Sequence, residues 1–305
     1  MSTSVLFDAP GPRGRVRNHA LTVISVVAVA AVLYGVYRGF DAKDQFDGKI
    51  WAPFLEWKTW EVYIIPGLIG TLRAAGVAAV LALAFGAIFG LARLSDHAWI
   101  RIPAGIVVEV FRAIPLLLLI FFLFYLAPTL FGGGDYAFIS VVLGLMFYNG
   151  SVLAEVVRAG VHAVPRGQSE AAYAIGMRKN QVMRLVLLPQ AITAMMPAIV
   201  SQLVVLLKDT ALGYIIAYVD LLNTGFKILP AALFGTLIPA AIVIGVIYVA
   251  LNLALSYLAT WLERRSRRSR KTGAAPVTAP GAAEVGVAAG QGTEGGGMAP
   301  DRPVE

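Results

Sequence analysis

The chain has no cysteine, only three histidines, and just 14% charged residues over 305 positions. Without cysteine there can be no disulfide, thiolate metal site or cysteine nucleophile. His19, His97 and His162 lie far apart near the ends of apolar stretches, and none makes a metal-spaced pair. No glycine loop ending in G-K-[ST] is present, so the chain carries no phosphate cradle of its own. An enzymatic reading has nothing to stand on.

What is abundant is apolar: 58% of the residues, with a mean hydropathy of +0.74. That exceeds what soluble domains show. About 20 apolar residues span a bilayer core as a helix, and irregular backbone cannot face lipid. The expected fold is therefore an all-α membrane protein, a polytopic helical bundle of about six spans. These are read at about Ala20–Tyr37, Ile64–Leu94, Pro103–Leu126, Ala137–Arg158, Ala191–Ala217 and Ala231–Leu262.

The formal charge of +7 raises the question of a nucleic-acid partner, but the basic residues sit beside apolar spans and read as topology signals. Arg13, Arg15 and Arg17 precede the first span, and Arg93 and Arg101 flank the second connection. Arg158, Arg166, Arg178, Lys179 and Arg184 surround a polar insert, and a cluster from Arg264 to Lys271 follows the last span. The other side has the acid-rich segment Gly39–Tyr63 and two short loops with Asp135, Asp220 and Lys227. Positive-inside logic then puts both termini and the insert in the cytoplasm of a multi-pass plasma-membrane protein. Residues 1–19 form a cytoplasmic N-terminus, and 20–63 an extra span with an extracellular segment. The main transmembrane domain is 64–262, and 263–305 a basic, then disordered cytoplasmic tail, too rich in Gly, Ala and Pro to pack. The first span reads as a retained helix, with a signal peptide as the alternative.

Gly86 and Gly90 form a small-xxx-small step, for packing within the chain or against another subunit. Pro115 suits a helix start. In the insert, Pro165 suits a helix first turn, and Gln168–Ile175 are good helix formers with a slim alanine face. Gly176 is placed to reverse the chain at C′, Arg178–Leu187 to form a second short helix, and Pro189 to restart the chain into the next span.

The insert also carries Glu170-Ala171-Ala172, then Gly176 and Leu188-Pro189. This pattern resembles the cytoplasmic EAA coupling loop of ABC importer permeases, in which two short helices dock into a cleft on an ATPase subunit. Neighbouring text narrows the resemblance. Phe111-Arg112-Ala113-Ile114-Pro115-Leu116-Leu117, the run from Tyr148 through Ala154-Glu155 and Arg158 to Gly160, and Leu207-Lys208-Asp209-Thr210-Ala211-Leu212 are similar to permeases for polar amino acids. Residues 4–15 resemble actinobacterial glutamate-importer permeases.

The resemblance implies a permease of an ATP-driven importer for glutamate, with glutamine, aspartate or a basic amino acid as alternatives. Glu170, Ala171, Ala172, Gly176 and Pro189 would couple to the ATPase. Implied partners are that ATPase, a second permease (paralogue or self), an extracellular binding protein, the amino acid and membrane lipid. No cofactor belongs to this chain; ATP and magnesium would sit in the ATPase. From a different class, an ion-gradient-driven secondary transporter would require broken helices in paired repeats, which the sequence does not display.

Charges inside spans point to function, because each costs roughly 2.5–3.5 kcal/mol to insert. Lys208 and Asp209 offer opposite charges to an amino acid, although they diverge by about 100° around a helix. Gln202, Thr210 and Asn149 are neutral hydrogen-bonding candidates. The alternative for Lys208 and Asp209 is a structural ion pair. Glu155 and Arg158, spaced i, i+3, and Arg112 read as gating or structural charges.

Overall fold

The computed structural model describes residues 11–271 except residue 234, and the described residues contain helices and turns but no strand. Eight long or functionally placed helices organise it. They are α1 (Pro12–Asp41), α2 (Ile65–Ala92), α3 (Ala98–Ala113), α4 (Leu116–Phe131), α5 (Tyr136–His162), α6 (Arg166–Ala174), α7 (Leu188–Asp209) and α8 (Leu237–Lys271). Five helical stretches are long and apolar enough to cross a membrane, and the bent pair α3 and α4 brings the number to six. The tail beyond Lys271 lies outside the described residues.

The bundle centres on α2 and α5. The buried stripe of α2 is built almost entirely of small residues: Gly67, Thr71, Ala74, Ala75, Ala78, Ala82, Gly86 and Gly90. A Cβ on Gly86 would stand 2.6 Å from the Leu153 Cβ, and one on Gly90 2.8 Å from the Ala154 carbonyl oxygen. The Gly86/Gly90 step is therefore contact within the chain, and its missing side chains are what let the two backbones approach. In return Phe85 fills the space left by Gly150. Around this pair, Leu116 and Ile120 of α4 and Leu206 and Leu207 of α7 complete the main core. By contrast, no residue of α1 is buried.

Three spans differ in detail from the sequence expectation. The third is two helices bent by 101° at Ile114–Pro115. Both residues are extended, with ψ of 126° and 130°. Proline pushes the residue before it out of the α region, so the F-R-A-I-P run breaks the helix one residue early. The last span begins at Leu237, after a separate short helix at Leu229–Ala232. The expected second short helix of the insert does not stand alone: residues Lys179–Ile216 form one continuous 38-residue helical rod.

Prolines leave a common signature. A π turn ends two residues before each of Pro66, Pro189 and Pro230, at Trp60–Ile64, Val182–Leu187 and Thr224–Ile228. Proline lacks an N–H and its ring collides with the carbonyl four residues back. Those carbonyls belong to Val62, Leu185 and Phe226, each inside a π turn, where the wider backbone moves the oxygen aside.

Candidate coupling hairpin and interior polar site

The insert folds as a hairpin at one end of the bundle. α6 ends in a Schellman reversal: Met177 N donates to the Ala172 carbonyl at 3.2 Å, and Gly176 N to that of Tyr173 at 2.9 Å. Gly176 takes φ +82°, as its expected place at C′ requires. The returning helix is started by Gln181, whose Oε1 accepts from Arg178 N at 2.8 Å. Gln190 Nε2 donates to Gln168 Oε1 at 3.2 Å across the hairpin, and Lys179 pairs with Asp96 of the α2–α3 turn. Hydrogen bonding to Lys179 holds the exposed Asp96 carboxyl below its usual pKa. Beneath, Val161, Val164 and Ala191 pack with Leu94, Leu187 and Leu188, fixing the hairpin to the bundle.

Of the five coupling candidates, Glu170, Ala171, Gly176 and Pro189 are exposed, whereas Ala172 is buried against the chain itself. Tyr173 and Ile175 were not anticipated from the alanine-rich pattern; they stand 48% and 78% exposed beside the reversal. With Leu185 of the returning helix also exposed, the hairpin presents apolar side chains on a polar background, a surface suited to docking.

At the hairpin end of α5, Glu155 joins three guanidinium groups. Arg93 Nη1 lies 3.0 Å from it, Arg112 Nη1 4.0 Å, and Arg158 binds it through both Nε and Nη2. Arg93 also reaches Glu109 at 3.2 Å. The i, i+3 pair seen in the sequence is thus part of a five-residue network tying α2, α3 and α5. Arg93 and Glu109 escaped the sequence reading because Arg93 resembled a topology signal and Glu109 had no local partner.

In the interior, Gln202 Nε2 of α7 donates to Asn149 Oδ1 of α5 at 2.6 Å. Asn149 is fully buried, its Nδ2 makes no hydrogen bond among the described residues, and its amide is the polar group facing Asp209. These three candidates come together. Lys208 does not join them: it is exposed and lines a cavity of about 430 Å³ with Tyr248, Asn252 and Ser256 of α8. No ion pair joins Lys208 to Asp209 among the described residues. Thr210 is buried and its hydroxyl turns back onto the Leu207 carbonyl at 2.7 Å, beside the Tyr248 hydroxyl. Tyr248 and Asn252 were missed, although two polar residues four apart in an apolar span are a visible signal. Asn252 Oδ1 is buried without a hydrogen-bond partner among the described residues.

Comparison with known proteins places the chain in a family. Residues 82–268 match the family described as binding-protein-dependent transport system inner membrane component. The chain is 42% identical over 228 residues to the glutamate transport system permease protein GluD of Corynebacterium glutamicum, covering 74% of this chain and 83% of that protein. It is 32% identical to the glutamate/aspartate import permease protein GltK of Escherichia coli, covering 67% of this chain and 93% of GltK. Identity to the arginine transport system permease protein ArtQ of Bacillus subtilis is also 32%, with 67% and 92% covered. Among solved structures, an amino acid ABC transporter crystallised with histidines superposes with a TM-score of 0.63 at 32% identity, covering 70% of this chain and 98% of that one.

Proposed function

This chain belongs to the binding-protein-dependent transport system inner membrane component family, and on that premise we propose that it is the permease through which an ABC importer moves glutamate. The observation that carries the reading is mechanical. A single helical rod runs from the docking hairpin to the polar residues of the interior, Lys179 at one end and Gln202, Lys208 and Asp209 towards the other. Thirty residues of helix reach about 45 Å. Force applied at Tyr173, Ile175 and Gly176 crosses only the short reversal to Arg178, braced by the Gln190–Gln168 hydrogen bond, before the rod carries it to the Asn149–Gln202 contact.

In this reading the apolar hairpin tip seats in a groove on a separate ATPase, which holds the ATP and magnesium. Both termini and the hairpin lie in the cytoplasm of the bacterial plasma membrane. A second permease, identical or paralogous, completes the pathway, and an extracellular binding protein delivers the amino acid. Closure of the ATPases moves α6 and α7 as a body. The Glu155 network, which ties α5 to α2 and α3, supplies the fixed frame against which α7 shifts. Lys208 then meets a substrate carboxylate, and Asp209 with Asn149 the ammonium. In a low-dielectric cavity each such charge contact counts for more than in water.

The test is made on the complex reconstituted with its ATPase and binding protein. Gly176→Asp is expected to abolish glutamate uptake at unchanged membrane abundance, with less ATPase copurifying. Lys208→Met is expected to keep the subunits together and lower glutamate-stimulated ATP hydrolysis about tenfold. Normal uptake by Gly176→Asp removes the docking role. Stimulation of the unaltered complex by arginine but not glutamate replaces the substrate.

A further inference from the structure

A second polar site lies at the end of the bundle away from the hairpin. There a cavity of about 290 Å³ is lined by Pro66, Gly70 and Arg73 of the α2 segment, by Asp135 before α5, and by Tyr218 and Val219. Arg73 is a lone cation in an apolar helix, with its guanidinium over the Phe138 ring at 4.2 Å. A ring face attracts the cation but supplies no lone-pair acceptor for its in-plane N–H groups. Arg73 is exposed, and among the described residues no carboxylate reaches it within 4.0 Å and no acceptor takes its hydrogens. Its five donors stay in the fork geometry that suits a carboxylate.

Asp135 lines the same cavity without pairing to Arg73. One of its oxygens accepts from Phe138 N at 3.0 Å, leaving the other oxygen uncommitted. Between the two charges Tyr218 forms a fixed floor, its hydroxyl donating to the Gly70 carbonyl at 2.8 Å. Both charges act on that hydroxyl. A cation and an anion that share a cavity, yet stand too far apart to neutralise each other, leave room for a group carrying both opposite charges.

We propose that Arg73 and Asp135 form a reception site for the backbone of an amino acid, the guanidinium binding the α-carboxylate and Asp135 the α-ammonium. The site rests on the importer reading and deepens it, because it lies at the far end from the ATPase-docking hairpin, where an importer receives its cargo. It recognises the charge pair common to amino acids on entry, before the substrate reaches Lys208 and Asp209 further in. A phosphatidylethanolamine headgroup carries the same chemistry, an oxyanion beside an ammonium, so the test separates the two.

The experiment uses the assembled permease–ATPase complex in nanodiscs without binding protein. Labelled glutamate is bound at equilibrium against glutarate, which lacks the ammonium, in discs of phosphatidylglycerol and again of phosphatidylethanolamine. Arg73→Gln is expected to weaken glutamate binding about tenfold or more in both lipids. Asp135→Asn is expected to weaken glutamate binding and leave glutarate competition unchanged. Subunit stoichiometry and melting temperature, unchanged in both variants, exclude misfolding. Unchanged glutamate binding in Arg73→Gln overturns the site, and equal losses for glutamate and glutarate in Asp135→Asn overturn the ammonium assignment. Loss confined to phosphatidylethanolamine retention, read by native mass spectrometry, assigns the cavity to lipid instead. Glutamate uptake by the complete wild-type system without equilibrium binding overturns the site alone, whereas no amino-acid uptake overturns the reading beneath it.

Discussion

Asp220 illustrates how one buried side chain sets a pH dependence. It is fully buried, one oxygen accepts from Asn223 N at 2.7 Å, and Oδ2 has no partner among the described residues. Burial pushes its carboxyl up to about 6 from an ordinary 3.8. The folded state therefore holds its proton more tightly than the unfolded state. Below 3.8 both states are protonated and nothing is lost. Between 3.8 and 6 stability falls as pH rises, and above 6 the loss is complete. Its size is on the order of 3 kcal/mol. Asp220→Asn keeps an acceptor for Asn223 N and removes the buried charge. The variant complex is expected to melt several degrees above wild type near pH 8, with the difference vanishing near pH 4. A wild-type advantage at the higher pH would show that the ionised carboxylate is stabilising.

At the scale of the element, the π turns show how a helix carries a proline without breaking. Pro189 is the informative one, because its π turn lies between the hairpin and α7. Pro189→Ala restores an N–H donor to the Leu185 carbonyl and favours closure of the π turn to α geometry. Closing it winds in the extra residue and rotates everything before Val182 by about 100° relative to α7. Lys179 would then turn away from Asp96, and the tip at Tyr173 and Ile175 would face elsewhere. The expected outcome is a protein that inserts normally and melts no lower, with uptake reduced at least about tenfold. Cross-linking of cysteines placed at positions 96 and 179 reads the rotation. Full uptake with cross-linking retained would mean that the π turn persists without the proline.

As a whole molecule, the bundle holds apolar surface outward and polar groups inward. Val80, Ile88, Phe122, Val246 and Leu253 are exposed by 63% or more, as lipid-facing or subunit-facing side chains should be, while Asn149, Ser151 and Thr210 are fully buried. The Arg93–Glu155–Arg158 network ties neighbouring helices together. On the importer reading proposed above, the energy for movement enters through the hairpin. Uptake in vesicles is expected to require internal ATP and the ATPase subunit, and to survive collapse of proton and sodium gradients at constant ATP. Transport by this chain alone, driven by an ion gradient in liposomes, would establish a secondary transporter instead.

Much of this was legible in the sequence, for a physical reason. Hydropathy over about 20 residues, the φ demanded of Gly176, and proline's missing N–H are local properties, so they located the spans, the hairpin reversal and the helix start after Pro115. They could not size the bend there, since 101° is set by what α3 and α4 pack against. Nor could they see the rod, because a π turn absorbs Pro189 only where its neighbours hold the helix together. The pairing of Asn149 with Gln202 spans 53 residues, and Leu221 N with Thr71 Oγ1 spans 150. Arg93 bridges Glu109 and Glu155 only because Gly86 and Gly90 let α2 lie close against α5. Adjacent in sequence, Lys208 and Asp209 face different helices, and that was anticipated from helix geometry as a divergence without a destination. Sequence alone determined which segments are helical, where they reverse and which charges are out of place in lipid. The tertiary structure decided which of those charges meet, because a contact between distant segments depends on the shapes of both.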